Sequence, residues 1–369
     1  MSQLITNSST YLSQPVNYVL MKGLLSAARK KLPYFNGTLP GTLEKSGGSA
    51  SVKWERINNL TAATSTLGEL NGTAAAFFGR SLVTPTLSAV TATVLKKGNA
   101  MVVTEEIDLY NVNTKAAKLL DTLGANAGES LNSLMYTEYA NATLIRASNN
   151  SVGGATTART SYVAYSISVG DIKYAVNQLN NNAAQTFTPI GMGSTNIGTQ
   201  PIRSSFYGIC HVDVEEDIRA LTGFIAVEQY AGYTETLPFE FGAVAGVRWS
   251  STQVSTIASA GSKASSTNNP TGSFRGSASS KNADVYTSFV YGKEAIGTVG
   301  LGNMFATNQS EMYDPKKPPA VEIIYKPLGS SGAMDPYNEV ASLSWKAFHV
   351  AKILNANWIV KILSLSSKL

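Results

Sequence analysis

The chain has 369 residues, which is enough to bury a large core and to form about two packing units. Apolar residues make up 43% of it and charged residues only 14%, well below the roughly one quarter that is usual in globular proteins. Because interspersed charge keeps monomers apart, this composition favours a surface that meets other copies of the chain. Two histidines and one cysteine are too few for a zinc-type site.

The net charge of +5 is concentrated near the N-terminus. Residues 1–100 contain ten Lys and Arg against three Asp and Glu, whereas the remaining residues contain nineteen against twenty-one. The basic run Arg29, Lys30 and Lys31 is a candidate for contact with nucleic-acid phosphates or with an acidic neighbouring subunit. A solvated helix end explains the same run equally well.

No targeting or membrane segment is recognisable in the sequence. The first residues lack the charged region and the continuous apolar core of a signal peptide, and no stretch of about 18 apolar residues occurs. We therefore expect a protein that is made and kept in a cytoplasm and has no membrane partner. Cys210 lies in the apolar stretch SFYGICHV, which predicts a buried thiol without redox chemistry.

The N-terminal residues 1–45 are predicted to form an arm. They contain one short amphipathic pattern over residues 19–28 and turn signals at Asn36-Gly37 and Pro40-Gly41. These signals are typical of an arm rather than of a domain.

Residues 46–103 predict a long β-hairpin. Two alternating stretches, SASVKWERI and SAVTATVLKKGNAMVVTEE, flank a weakly patterned segment of small residues. A two-stranded ribbon is marginal in water, so this hairpin must lie on something else. If that support is a neighbouring subunit, four charged residues along the hairpin are candidates for the contact: Lys53, Arg56, Glu69 and Arg80.

The strongest helical pattern covers residues 114–146. Apolar residues recur there at steps of three and four, and Asn113 or Thr114 is the expected N-cap. More than 30 residues would span roughly 45 Å, which is typical of a spine rather than of an ordinary domain helix. Its buried face is expected to include Leu120, Leu123, Leu131 and Leu134.

Residues 169–320 mix helical and strand patterns. Ser168 and Asp171 have the spacing of a capping box that starts a helix. The stretches SFYGICHV, AVAGVRW and YTSFVYG predict strands, DVEEDIRAL predicts a short helix, and the low-complexity residues 250–285 predict a surface loop. Residues 321–369 predict long strands, and a strand edge of that length needs a partner.

No motif for catalysis or cofactor binding is present. GMGSTNIG lacks the spacing of a dinucleotide loop, and neither a phosphate loop nor a Gly-x-Ser-x-Gly elbow occurs. The acids within residues 213–217 match no calcium-loop spacing and are explained as first-turn residues of a helix. His211 and His349 are predicted to be satisfied structural histidines. The sequence thus predicts no catalytic, cofactor or metal site.

The order of these parts resembles the major capsid proteins of tailed bacteriophages with the Hong Kong 97 fold, and the sequence is similar to the capsid family of N-four-like podoviruses. The resemblance covers most of the chain and is weakest in residues 1–50 and 250–285. It is carried by TATVLKKGNAMVVTEEIDL, LGANAGESLNSLMYTE, DIKYAVNQLNNNAAQTF, HVDVEEDIRAL, FGAVAGVRW and KPLGSSGAMDPYNEVASLSWKAFHVAKILNANWIVKI.

The resemblance implies an α+β fold with five parts. These are an N-terminal arm at 1–45, an E-loop hairpin at 46–103, a P-domain with the spine helix at 104–168, an A-domain at 169–320 with a flexible loop at 250–285, and the return strands of the P-domain at 321–369. It also implies a structural subunit without a cofactor, not an enzyme. Copies would form the hexamers and pentamers of an icosahedral head shell around double-stranded DNA, assembled in the cytoplasm of a host bacterium. A separate scaffolding protein and a portal protein are the other implied partners.

Two alternatives remain open. A tail-tube or head-decoration protein shares the low-charge composition rich in Ser, Thr and Gly, but such proteins are typically all-β and do not need the helix at 114–146. An enzyme, for instance a hydrolase that uses the acids at 213–217, would need an active site that no motif indicates.

Overall fold

The computed structural model describes residues 32–41, 50–57, 60, 85–105, 115–148, 165–187, 204–229, 237, 239–258, 275, 283–299, 321–328, 336–337 and 339–367. The side chains of residues 115–118 and 120 are outside this description. Three α-helices lie in the described residues: α1 (Lys115–Tyr139), α2 (Val169–Asn181) and α3 (Val212–Arg219). The strands there are β1 (Leu39–Gly41), β2 (Ser51–Ile57), β3 (Leu87–Thr93), β4 (Leu95–Thr104), β5 (Leu144–Ala147), β6 (Phe206–His211), β7 (Ile225–Ala226), β8 (Glu240–Val244), β9 (Val247–Thr252), β10 (Val285–Tyr291), β11 (Ile296–Val299), β12 (Glu322–Lys326), β13 (Val340–His349), β14 (Ala351–Ile353) and β15 (Ile359–Leu365).

A seven-stranded sheet in the order β5-β15-β10-β6-β9-β8-β7 forms the middle layer of the molecule. The pairs β5/β15 and β6/β9 are parallel and the other neighbours are antiparallel. Helices α2 and α3 share one core cluster with this sheet, and α1 belongs to a second cluster with Ile209, Phe289 and Tyr291. Because both faces are covered, all six residues of β6 are buried, as its continuous apolar run predicts.

Helix α1 is shorter than the periodicity predicts. It ends at Tyr139, so its 25 residues span about 37 Å, and residues 144–147 form β5 instead. The reason is tertiary: β5 pairs in parallel with β15, and those hydrogen bonds override the weak helical pattern after the turn at 140–143. On the apolar face of α1, Leu123 and Leu131 are buried and Leu134 is partly buried, whereas the side chain of Leu120 lies outside the described residues.

Two smaller sheets and a ribbon complete the fold. The sheet β12-β13-β4 packs on α1, where the Trp345 indole nitrogen donates a hydrogen bond to the Asn126 side-chain oxygen at 3.2 Å. The short sheet β1-β11-β14 lies under the two-stranded ribbon formed by β2 and β3. Each described helix is too short or too polar to cross a membrane.

Residues 32–41 belong to the core, which corrects the prediction that the whole of residues 1–45 is an arm. Tyr34 is buried, its backbone N–H donates to the Asn132 side chain of α1 at 3.2 Å, and its carbonyl accepts from the Tyr139 hydroxyl at 3.1 Å. The Tyr291 hydroxyl donates to the carbonyl of Asn36 at 2.7 Å, and β1 then pairs in parallel with β11. These contacts join residues about 100 to 260 positions apart, so no local pattern signals them. Residues 1–31 lie outside the described residues.

The predicted capping box is confirmed. The Ser168 hydroxyl accepts from the Asp171 N–H while the Asp171 carboxylate accepts from the Ser168 N–H, and α2 starts there. The stretch AVAGVRW, in contrast, is a hairpin rather than one strand. Ala245 and Gly246 have φ angles of 51° and 82°, the geometry of a two-residue turn between β8 and β9. Strand β9 continues to Thr252, so residues 250–252 do not belong to the surface loop predicted over residues 250–285, and residues 259–274 and 276–282 lie outside the described residues.

The strands of residues 321–369, predicted as one set that returns to the helix, divide among three sheets, and the short strand β14 lies in the sheet β1-β11-β14. Strand β13 lies between β12 and β4, whereas β15 lies between β5 and β10 in the seven-stranded sheet. Each of these long terminal strands therefore has a partner on both sides within its own chain. The partners that such long strands were predicted to need are thus supplied by the chain itself.

Candidate subunit interface

The ribbon formed by β2 and β3 is held to the body at one end. The two strands pair without interruption from Ser51 opposite Thr93 to Ile57 opposite Leu87. On the inner face near the base, Val52 and Trp54 are buried in a cluster with Val94 and Val299. This alternation, with residues 52 and 54 inward and residues 51, 53 and 55 exposed, is that of a half-buried strand.

Trp54 fits against two glycines of the supporting sheet. A Cβ atom added to Gly41 of β1 or to Gly297 of β11 would lie 2.8 Å from the indole ring, closer than carbon atoms can approach. The indole therefore needs glycine at both positions. Gly41 looks like a turn residue in the sequence, and Gly297 carries no local signal, so this contact could not be predicted.

The far end of the described ribbon is apolar and exposed. Ile57 and Leu87 lie directly opposite each other on the outer face, 66% and 57% exposed, and Leu60 just beyond is 57% exposed. Cross-strand apolar pairs of this kind normally cover a core. Here the pair has nothing of its own chain over it among the described residues, which marks the outer face as a contact surface.

The charged candidates on the ribbon fall in different places. Lys53 lies on the outer face and pairs with Glu55 at 2.5 Å, and both are well exposed, so this pair contributes little to stability. The guanidinium of Arg56 instead lies over the Trp358 ring of its own chain, 5.4 Å from the ring centroid. A cleft of about 70 Å³ separates this end of the ribbon from the body. Glu69 and Arg80, and the basic run Arg29, Lys30 and Lys31, lie outside the described residues.

The acids at 213–217 are engaged in local contacts. Asp213 pairs with Arg275 and lies 3.3 Å from the His211 ring, while Asp217 accepts from the backbone N–H of Ser367 at 3.0 Å. Glu215 accepts from Arg219 one turn along α3 at 2.7 Å. Within the described ranges, no three His, Cys, Asp or Glu side chains are grouped so that they could hold a metal ion.

The remaining candidate side chains are buried. Burial raises the pKa of the Cys210 thiol well above its usual value, so the group is an inert part of the core. His211 caps α3, since its Nδ1 accepts from the Asp213 N–H at 3.1 Å, and burial lowers its pKa. His349 departs from the prediction of a satisfied histidine because its buried Nε2 has no hydrogen-bond partner among the described residues.

The fold matches solved capsid structures of bacteriophages over almost the whole chain. It is similar to the capsid of Ralstonia phage GP4, with a TM-score of 0.58 at 12% identity over 92% of this chain and 92% of that chain. It is also similar to the head structure of Helicobacter pylori bacteriophage KHP40, and to the acid-stable capsid of Helicobacter pylori bacteriophage KHP30. Each has a TM-score of 0.50 at 10% identity over 91% of both chains. No protein-family model and no curated protein sequence matches the chain. The chain therefore has the mixed α+β fold of phage capsid proteins.

Proposed function

We propose that this chain is the major capsid protein of a tailed bacteriophage and that its copies build the head shell. The similarity to the GP4 capsid supports the fold. The exposed outer face of the ribbon supports the proposed assembly of copies into a shell. Among the described residues, the long strands pair within the chain, whereas the apolar cross-strand pair Ile57 and Leu87 stays uncovered at the far end of the described ribbon. A second copy of the chain is the partner that a shell supplies at every ribbon.

In this proposal the parts have the roles that the resemblance implies. The ribbon is the E-loop, α1 and the sheet β12-β13-β4 form the P-domain, and α2, α3 and most of the seven-stranded sheet form the A-domain. The N-terminal arm is shortened to residues 1–31, because Leu32 to Gly41 pack in the body. The long helix α1 also argues against a tail-tube or decoration protein, which would be all-β.

We extend the proposal to the capsid family of N-four-like podoviruses and to a virion location after assembly in the host cytoplasm. Hexamers and pentamers of the chain would close the shell, with a separate scaffolding protein and a portal protein as partners. Packaged double-stranded DNA would be contacted without sequence preference, and the basic run at 29–31 is the candidate for that contact.

The test is expression of the full chain in bacteria, followed by sedimentation and electron microscopy of the soluble fraction. We expect closed shells or curved sheets with hexagonal arrays. Stacked rings that extend into tubes would favour a tail-tube role instead. A chain that stays monomeric at high concentration, with and without molecular crowding, would contradict the proposal.

A further inference from the structure

The end of strand β13 brings a buried histidine against the N-terminal segment, here defined as residues 32–41. His349 is 5% exposed and lies on the inner face of β13, in line with Leu343, Trp345 and Ala347. Its ring meets the Phe35 ring edge-on, with the ring centroids 5.9 Å apart. The histidine thus forms part of the surface on which this segment packs.

The surroundings of His349 cannot accept a positive charge. Its Nε2 has no hydrogen-bond partner among the described residues. Lys97 of the neighbouring strand β4 lies opposite Ala347, which puts it on the same face of the sheet, diagonally next to the histidine. Among the described residues, Lys97 is the charged group whose repulsion lowers the pKa of the His349 ring. An imidazolium here would be buried, unpaired and repelled.

Among the described residues, the other elements around this junction supply no carboxylate that offsets such a charge. The 3₁₀ turn Pro33–Phe35 contributes the apolar Phe35 ring, and Tyr34 beside it is a neutral phenol whose hydroxyl donates to the Val254 carbonyl at 2.9 Å. On β14, Lys352 already pairs with Glu138 of α1 at 3.4 Å. Protonation of the histidine therefore favours any state in which the ring leaves its site.

We propose that His349, Phe35 and Lys97 form an acid-sensitive clasp, which holds the N-terminal segment in the body at neutral pH and releases it on acidification. The segment contributes β1 to the sheet under the ribbon, and Gly41 at its end supports Trp54. Release would therefore loosen the base of the ribbon. This inference concerns the single chain and does not depend on the proposed capsid function.

The sign and size of the effect follow from linkage. Burial and then Lys97 lower the pKa of His349 from 6.5 to about 4. The neutral ring therefore stabilises the clasp above pH 6.5, and that contribution is lost as the pH falls from 6.5 toward 4. If the pKa of His349 is 6.5 in the released state and about 4 in the closed clasp, the equilibrium constant for closure should be about 30-fold smaller at pH 5.0 than at pH 7.5.

The experiment is hydrogen–deuterium exchange of the full, unassembled chain at pH 7.5 and 5.0, with protection corrected for the intrinsic exchange rate. We expect protection of residues 32–41 to fall about 30-fold, while helix α2 keeps its protection. His349→Gln should abolish the pH dependence. Lys97→Gln should reduce it, because the pKa of His349 then moves back toward its usual value, and this variant decides the question if His349→Gln does not fold.

Two results would overturn the clasp. One is equal protection of residues 32–41 at both pH values in the wild-type chain. The other is a loss of protection that is the same in His349→Gln or that includes α2, because the acid effect would then be global or would arise at another group.

Discussion

The inner face of α1 and the outer face of the ribbon are built from similar apolar residues in opposite situations. Leu131, Met135 and Tyr139 on α1 are completely buried in the core cluster that also contains Phe289 and Tyr291 of the seven-stranded sheet. Ile57 and Leu87 on the ribbon are equally large, are paired with each other, and stay more than half exposed. The first set stabilises one subunit, whereas the second set gains its free energy only when another surface covers it.

The energetic difference between the two regions is large. Full burial of a Leu or Ile side chain contributes about 1.5–3 kcal/mol. On α1 that contribution already belongs to the folded chain, so a change there must act on folding. On the ribbon the same contribution is still available, so a change there should act on association and leave folding alone.

The largest expected effect is on α1. Leu131→Asp places a carboxylate at a fully buried position without a partner, which costs several kcal/mol or forces protonation of the new acid. We expect soluble chain to disappear almost completely, measured as the soluble fraction after expression. Ser133→Asp is the matched control, because Ser133 is exposed on the same helix and should tolerate the charge.

The next largest effect is at the N-terminal segment. Tyr34→Ala removes a fully buried ring packed against Tyr136, Tyr139 and Phe289, which should destabilise the chain by about 3–5 kcal/mol. Tyr34→Phe keeps the ring and removes only the hydrogen bond to Val254, so about 1 kcal/mol is expected. Chemical denaturation measures both. Equal stability of Tyr34→Ala and wild type would mean that the segment is an arm after all.

A smaller loss is expected at the start of α2. Asp171 is buried and accepts hydrogen bonds from Arg146 and Ser148, both at 2.9 Å, as well as from Ser168. Asp171→Asn leaves the Arg146 guanidinium without its buried counter-charge, and a loss of about 1–3 kcal/mol should follow. The control Glu216→Gln removes an exposed acid from α3 and should change the denaturation midpoint very little.

How well the sequence predicts each region depends on how far apart along the chain the contacting residues are. The capping box of α2 and the buried strand β6 are set by neighbouring residues and by a continuous apolar run, and both predictions are confirmed. The pairing of β2 with β3 also follows from their alternation, but the hairpin predicted over residues 46–103 is too long, because its second stretch divides at Val94 and β4 pairs with β13 instead. The end of α1 and the burial of residues 32–41 depend on partners far along the chain, and both were predicted incorrectly.

The candidate interface shows the same division. Alternation in β2 predicts a strand with two faces, yet it does not say which face is covered. The inner face is covered because Gly41 and Gly297, in two other strands, leave room for Trp54. The sequence singled out Lys53 and Arg56, but the exposed apolar pair distinguishes the outer face of the ribbon, and Arg56 contacts Trp358 of its own chain.

A small effect on stability is expected at the contact between Arg56 and the Trp358 ring. Arg56→Gln removes the cation from the Trp358 ring, and at this exposed site the loss should be about 0.5–1 kcal/mol. Lys53→Gln, three residue pairs closer to the base and on the opposite, outer face, should cost less. Thermal melts of the two variants side by side measure the difference. A larger loss in Lys53→Gln would mean that the two faces of the ribbon have been assigned the wrong way round.

The most direct test separates folding from association with one double variant. Ile57→Lys combined with Leu87→Glu replaces the exposed apolar pair by an oppositely charged pair, and surface changes of this kind usually alter stability by about 0.5 kcal/mol or less. We predict a subunit with a wild-type denaturation midpoint that forms no shells or curved sheets in electron micrographs. Lys53→Gln with Glu55→Gln, on the same outer face, should assemble normally. A double variant that assembles as well as the wild type, or one that fails to fold, would contradict the claim that this apolar pair is reserved for a second copy.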